Sequence, residues 1–227
     1  MSFKYSPYSF SKLSVAEQCP RKFKYKYIDK IKEEETDRRH LQKGVKIHDA
    51  LETFDHSQPI ENEIAKSFVE SKLGQKYLNL DTLNNTVRES SIRLIDEDGE
   101  LKPTSSNTQR KSLLFYGKVD YVGIIDGTLH IVDWKSGKYK DLMYQNFNQL
   151  MFYAIYFFLK KHIERISISF VYVEHGLENS ILLERKHLNN YISELKQSIE
   201  RIENSSFEKR ASKLCDFCPF QKHCLSD

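Results

Sequence analysis

Two aspartates and a lysine, Asp120, Asp133 and Lys135, carry the clearest chemical signal in the chain. They lie in two apolar, β-branched runs, SLLFYGKVDYVGII and TLHIVDWKSG, on either side of Asp126-Gly127. An Asp-Gly pair between such runs is typical of a tight hairpin turn. A turn centred there places Asp120 opposite Asp133, with Lys135 on the same side of its strand two residues later.

Facing carboxylates destabilise a sheet unless a cation lies between them. We therefore expect Asp120 and Asp133 to bind a divalent cation, with Lys135 close enough to reach a phosphate oxygen or a water held by that ion. The alternative is that the aspartates end the sheet and that Lys135 only neutralises their charge.

Two other segments, GVKIHDALE and QLMFY, carry polar side chains that are suited to complete this site. The first contains His48, a good additional ligand for Mn²⁺, and Glu52, which lies one helical turn later and is placed to support the ligands or a second ion. The second contains Gln149 and Tyr153, also one turn apart, so an amide and a phenol lie on one helical face. Taken alone, His48 with Glu52 is more typical of an ordinary surface pair, and Tyr153 is more typical of an aromatic residue in a packed helix.

The four cysteines are arranged as three clustered residues and one distant residue. Cys215, Cys218 and Cys224 lie near one end of the sequence, and Cys19 lies near the other. In a reducing compartment such cysteines are more often metal ligands than disulfides. Four thiolates suit either a 4Fe-4S cluster or tetrahedral zinc, for which His223 is an alternative ligand.

The segment 21–32 has six basic residues and one acidic residue, interleaved with aromatic side chains. Basic side chains can follow a phosphate backbone while aromatic rings stack on unpaired bases. The candidate DNA-binding residues are Arg21, Lys22, Lys24, Tyr25 and Lys26. An equally good interpretation is an amphipathic element whose aromatic rings pack in the core and whose lysines lie in water.

These motifs together resemble a known enzyme family. GKVD at 117–120 and VDWKSG at 132–137 resemble the motif pair of the PD-(D/E)XK nuclease superfamily in its RecB-like branch, and the histidine and QxxxY motifs of that branch are similar to GVKIHDALE and QLMFY. The resemblance implies an Mg²⁺ or Mn²⁺ ion on His48, Asp120 and Asp133, with Lys135 supporting the attacking water. The Trp134 backbone carbonyl is a further candidate ligand, and Glu52, Gln149 and Tyr153 are candidate supporting or catalytic residues.

The Cys-Pro after the first helix and the CxxCxxxxxC near the end of the sequence resemble the iron–sulfur, AddB-like exonucleases found with CRISPR systems and helicases. This resemblance favours a 4Fe-4S cluster over zinc. It implies exonuclease action on single-stranded DNA ends in recombination, repair, replication or CRISPR adaptation, with a helicase, recombinase or CRISPR integrase as a partner. The rival hypothesis is a non-catalytic subunit that binds DNA ends for such a complex.

The elements that must position these residues form a mixed pattern of helices and strands. We expect helices at 9–27, 41–54, 62–73, 144–161 and 188–203, the central hairpin, and strands at 165–174 and 180–185, with an irregular insertion at 81–110. The expected fold class is α/β (α+β, mixed sheet) with a restriction-endonuclease-like core. One nuclease domain, 1–227, would comprise a helical N-terminal lobe to about 110, a catalytic core at 111–187 and a C-terminal helix with a cluster-binding tail that joins the two ends.

Length and composition fit one globular domain: 227 residues, 39% hydrophobic and 30% charged. The net charge of +3 is too small to predict nucleic-acid binding by itself. The first residues lack the apolar core of a secretory signal, and the apolar run at 150–159 is too short to span a bilayer. We therefore expect a cytoplasmic protein (in the host cytoplasm if the gene is viral) that has no membrane partner.

Overall fold

The computed structural model describes residues 3–34, 39–79, 86–105 and 113–226. Its helices are α1 (Phe10–Gln18), α2 (Pro20–Phe23), α3 (Arg39–Glu52), α4 (Glu63–Glu70), α5 (Lys72–Leu78), α6 (Asn148–Lys160), α7 (Leu188–Glu203) and α8 (Gln221–Ser226). Its strands are β1 (Thr86–Glu97), β2 (Glu100–Pro103), β3 (Leu113–Ile125), β4 (Thr128–Lys135), β5 (Arg165–Tyr172) and β6 (Leu177–Glu184). A π-helical turn (Lys24–Ile28) follows α2, and 3₁₀ turns lie at Leu142–Tyr144, Arg185–His187 and Lys213–Phe217.

The strands form one six-stranded sheet in the order β2-β1-β3-β4-β5-β6. Every neighbouring pair is antiparallel except β4 and β5, which are parallel and are joined through α6. Parallel neighbours need such a crossover, and a helix is its usual form. The mixed α/β fold expected from the sequence is therefore confirmed. None of the described helices has the length and apolarity needed to cross a bilayer.

The central hairpin has the expected register. Ile125 pairs with Thr128 and Val122 pairs with Ile131, and Asp126 and Gly127 both have positive φ angles, 49° and 74°. Two such residues form the turn whose twist matches that of a hairpin. Regular pairing ends at Tyr121–Val132, one pair before Asp120 and Asp133. The strands therefore separate where the two aspartates lie.

A hydrophobic core covers each face of the sheet. The α6 core joins the sheet to α1, α6 and α7, and includes Leu13, Val122, Phe152, Ile168 and Ile199. The α3 core joins the other face to α3, α4 and α5, and includes Ile47, Phe68, Tyr121, Trp134 and Val171. Helix α6 is apolar on nearly all sides, with eight of its residues buried, because it lies between the sheet and α7.

Two expectations about the N-terminal half were wrong. Residues 86–103 are not irregular: β1 and β2 form a hairpin at the edge of the sheet, around Asp98 and Gly99 with φ angles of 53° and 88°. Of the expected insertion at 81–110, residues 81–85 and 106–110 lie outside the described residues. The first helix is also broken, because the backbone at Cys19 is extended, with φ −159° and ψ 115°.

Candidate active site

The sheet loses its regular pleat at Asp120. On β3, Val119 packs in the α6 core and Tyr121 in the α3 core, although alternate residues of a regular strand share one face. The facing residue of β1, Glu89, has φ 52° and is not β-paired with β3 through its backbone, although Arg88 pairs with Tyr121 and Ser90 pairs with Val119. The carboxylate of Asp120 therefore lies at a break in the sheet, within reach of helices on both faces.

His48 reaches Asp120 from α3. Its Nδ1 lies 3.4 Å from Asp120 Oδ2, and the backbone N–H of Trp134 donates to the same oxygen at 2.9 Å. The hydrogen bond to Asp120 raises the pKa of His48 despite its partial burial, and a backbone hydrogen bond with Trp134 adds to this. One turn before His48, α3 lies close to the residue just beyond β4, because a Cβ at Gly44 would lie 2.8 Å from Ser136 Oγ.

Asp133 is the most deeply buried acid of the site, and its residue is 8% exposed. Lys135 Nζ lies 2.6 Å from Oδ2, and Gln149 Nε2 donates to Oδ1 at 2.8 Å. Burial raises the pKa of Asp133, and the ammonium of Lys135 opposes that rise. The lysine also lies over the ring of Phe170, 4.7 Å from its centroid, which fixes it beside the carboxylate.

Helix α6 supplies Gln149 and Tyr153 on one face. Gln149 Nε2 lies 3.4 Å from the phenol oxygen of Tyr153, so the two side chains form one chain of contacts to Asp133. Burial raises the pKa of Tyr153 to about 12, and the phenol therefore stays protonated at neutral pH. Gly117 makes room for this ring, since a Cβ there would lie 2.3 Å from Tyr153 Cε1.

Most of the expected site residues converge. His48 and the Trp134 N–H both contact Asp120, and Lys135 and Gln149 both contact Asp133, with Tyr153 behind Gln149. The two groups of contacts meet because Asp133 and Trp134 are neighbours in β4. Within the described residues, no hydrogen bond or ion pair joins Glu52 to this set. Sequence reasoning missed Gly44, Gly117 and Phe170, which support the site only by lying against other side chains. Both glycines stand within or beside the motifs, but their roles depend on contacts that the sequence does not contain.

The donor atoms suit a hard divalent cation. Two carboxylates, an imidazole and the backbone of Trp134 offer the oxygen and nitrogen ligands that Mg²⁺ and Mn²⁺ accept. As they stand, no three histidine, cysteine, aspartate or glutamate side chains of the described residues form a group arranged to hold a metal ion. Lys135 instead neutralises the buried carboxylate of Asp133. The residues fit the chemistry of the ion, but they do not form a preassembled cage.

Comparison with known proteins identifies the family. The model of the PD-(D/E)XK nuclease superfamily matches residues 7–225, nearly the whole chain.

The chain belongs to the PD-(D/E)XK nuclease superfamily.

Members of this superfamily are generally metal-dependent nucleases that act on DNA. Among curated proteins, no match is found. Among solved structures, the crystal structure of SSO0001 aligns with 96% of this chain and 85% of its own, at 14% identity and a TM-score of 0.43. That likeness is too distant to carry an argument about this superfamily member.

The four cysteines of this PD-(D/E)XK protein line a single cavity of about 440 Å³ together with basic side chains, among them Arg21, Lys209 and Arg210. No disulfide joins any of these cysteines, and Cys215 is the most exposed of them. Cys19 reaches the cavity because its extended backbone separates α1 from α2, which begins with Pro20. Four thiols around one cavity fit a metal or cluster by their chemistry, although the thiols are not within ligand distance of a common centre.

The basic segment 21–32, beside this cavity, does not have its aromatic rings free to stack on bases. Tyr25 is 2% exposed, and its ring contacts Phe220 and His223, so the expectation that it stacks on DNA bases is wrong. Lys24 and Lys26 form ion pairs with Asp29 and Glu33. Arg21 donates to the Phe207 carbonyl, and Lys22 donates to Gln18. The aromatic residues of the segment therefore belong to the core, as the alternative interpretation predicted.

Proposed function

We propose that the chain is a metal-dependent deoxyribonuclease that hydrolyses phosphodiester bonds at single-stranded DNA ends. The observation that carries this proposal is the convergence of His48, Asp120, Asp133, Lys135 and Gln149 at the point where β3 and β4 separate. Helices from both faces of the sheet contribute to that point. A site assembled from four elements, α3, β3, β4 and α6, around one buried carboxylate is typical of catalysis rather than of sheet termination.

Each residue has a distinct role in the proposal. His48, Asp120, Asp133 and the Trp134 carbonyl would hold Mg²⁺ or Mn²⁺, which when bound supplies an activated water and offsets the charge on the phosphate. Gln149 orients the Asp133 carboxylate through Oδ1. Lys135 holds a phosphate oxygen once the substrate competes for its ammonium. Tyr153 stays protonated and keeps Gln149 in place.

We further propose that Cys19, Cys215, Cys218 and Cys224 hold a 4Fe-4S cluster with a structural role. Support comes from the shared cavity and from the free state of all four thiols. A cluster there joins the chain between α1 and α2 to the segment after α7, which restricts the unfolded chain. In this proposal residues 1–227 are a single nuclease domain, and Arg21, Lys22, Lys24 and Lys26 remain candidates for phosphate contacts near the cavity.

The test of the nuclease uses end-labelled single and double strands with Mn²⁺, Mg²⁺ or a chelator. We expect the wild type to shorten single strands only with a metal, and Asp120→Ala and Lys135→Ala to lose activity by about 100-fold or more. Lys186→Ala removes a surface lysine that pairs with Glu184 and serves as the matched control. Strands labelled at the 5′ or the 3′ end report the polarity.

A wild type that binds DNA ends but is as inactive as both variants would identify the chain as a non-catalytic end-binding subunit. The cluster is tested separately, by anaerobic purification and metal analysis. A brown protein that contains iron supports the cluster, whereas a colourless protein with one zinc per chain would show that the cysteines bind zinc instead.

A further inference from the structure

A 3₁₀ turn between β4 and α6, Leu142–Tyr144, presents large apolar side chains to solvent. Met143 is 77% exposed and Tyr144 is 67% exposed, and Leu142 is also exposed. Adjacent exposed apolar side chains of this size are a mark of a binding surface when they are clustered on one short turn. We call residues 138–144 the tip loop.

The tip loop is held in place by polar contacts with the sheet. Asn179 of β6 is 4% exposed, donates to the Lys140 carbonyl at 2.6 Å and accepts from the Tyr139 hydroxyl at 3.1 Å. Asp141 accepts from the Met143 N–H and caps the turn. Both hydrogen bonds of this buried amide go to the tip loop, and a buried polar group needs such partners. The hydrogen bonds therefore hold the loop in one position. The apolar tip is therefore displayed by a fixed support.

The support lies on the catalytic face of the sheet. Asp133 pairs with Phe170 of β5, and Phe170 pairs with Asn179 of β6. Paired residues of neighbouring strands direct their side chains to the same face, and strands are spaced by about 4.8 Å. Asn179 therefore lies about 10 Å from Asp133 on the same face. The loop also begins three residues after Lys135 and ends five residues before Gln149.

The chemistry of the tip loop matches single-stranded DNA. Lys138 and Lys140 are exposed, and neither forms an ion pair with any residue in the described ranges. Asp141 is the only acid in the loop, and it is used as a cap. Lysines can contact the phosphates of a single strand while a neighbouring exposed aromatic ring stacks on its unpaired bases, whatever their sequence. Three apolar side chains are too few for a stable protein interface, which needs roughly 20 or more residues on each side.

We propose that the tip loop is a stacking platform for single-stranded DNA, with Tyr144 and Met143 under the bases and Lys138 and Lys140 beside the phosphates. This inference rests on the proposed nuclease function and names the feature that selects its substrate. The Asn179 support of the platform lies about two strand spacings from Asp133. A duplex, whose bases are already stacked, gains nothing from the platform.

The test measures binding of a fluorescent oligothymidine and of a labelled duplex to the full chain by anisotropy, with a chelator present so that no cleavage occurs. We expect Tyr144→Ala to weaken single-strand binding about 5- to 100-fold. Tyr144→Trp restores affinity, and duplex binding changes little. Leu182→Ala, at an exposed apolar site on β6, is the matched control. Asn179→Ala, which releases the loop, weakens single-strand binding and exposes 138–144 to limited proteolysis.

The two proposals fail in different ways. Unchanged oligothymidine affinity in Tyr144→Ala and Asn179→Ala overturns the platform, even if the wild type cleaves DNA. Equal losses for single strands and duplex also overturn it. A wild type that binds oligothymidine through Tyr144 yet cleaves nothing with Mn²⁺ overturns the nuclease and leaves the platform standing.

Discussion

Gln149 Nε2 donates to Asp133 Oδ1 at 2.8 Å, while Lys135 Nζ lies 2.6 Å from Oδ2 of the same carboxylate. Both oxygens of this buried acid are thus oriented by side chains of the protein, one from α6 and one from the strand itself. The helix therefore controls the direction of the carboxylate as much as the sheet does.

This arrangement predicts that Gln149→Ala lowers kcat about 10- to 100-fold, since a hydrogen bond to a charged group contributes about 1.5–3 kcal/mol. Gln149→Glu should lower kcat further, because it places a second negative charge beside Asp133. Single-turnover cleavage at saturating Mn²⁺ measures the effect, and Asn148→Ala in the same turn is the control. Wild-type rates in Gln149→Ala would show that α6 does not orient the acid.

The close approach of Gly117 to Tyr153 predicts a loss of stability on Gly117→Ala. The new Cβ would meet the ring at 2.3 Å, and overpacking of this kind costs about 1–3 kcal/mol. Gly137→Ala is the matched control, because no atom lies within 4 Å of its added Cβ. Urea unfolding measures both variants. In the double variant with Tyr153→Ala, the cost of Gly117→Ala should largely disappear; purely additive effects would contradict the contact.

The hydrogen bonds of Glu178 predict that the free energy of unfolding depends on pH. Burial alone would raise its pKa, but hydrogen bonds from Lys76, Tyr77 and Ser169 lower the pKa overall. A lowered folded pKa gives stability that is present above the ordinary carboxyl value of 4.5 and is lost as the pH falls through the folded pKa.

We therefore expect Glu178→Gln to be less stable than the wild type at pH 7, with the difference shrinking below about pH 4.5. Urea unfolding between pH 7 and pH 3 measures the difference. Glu194→Gln, an exposed site on α7, should follow the wild type throughout. A difference that is constant with pH would mean that the network does not favour the charged carboxylate.

The cavity of the four cysteines predicts a local effect of Cys19→Ser. We expect the variant to lose bound iron and to expose the segment after Phe207 to proteases. The N-terminal segment should stay docked, because Glu203 accepts from the backbone of Lys4 and Tyr5 and from the Tyr8 hydroxyl. Iron analysis and limited proteolysis measure this, with Ser11→Ala as the control. A variant that retains iron and resists proteases would exclude Cys19 as a ligand.

The sequence predicted the hairpin well because the turn residues set its register, and a register assigns every side chain to a face. It did not predict β1, because TVRESSIRLIDE has polar residues at many positions along its length, and the strand is only partly buried. The break in the pleat at Glu89 and Asp120 could not be predicted, since a glutamate with positive φ leaves no compositional signal. Tyr25 shows the same limit: interleaved lysines and aromatics do not reveal which side chains are covered by Phe220.

Helix α6 also has a consequence for synthesis. Its apolar surface is covered only when α7, later in the chain, packs on it. During synthesis this apolar helix leaves the ribosome before α7 has been made, so its exposed apolar side chains favour aggregation and binding by chaperones. Any truncation ahead of Leu188 would make that transient hazard permanent.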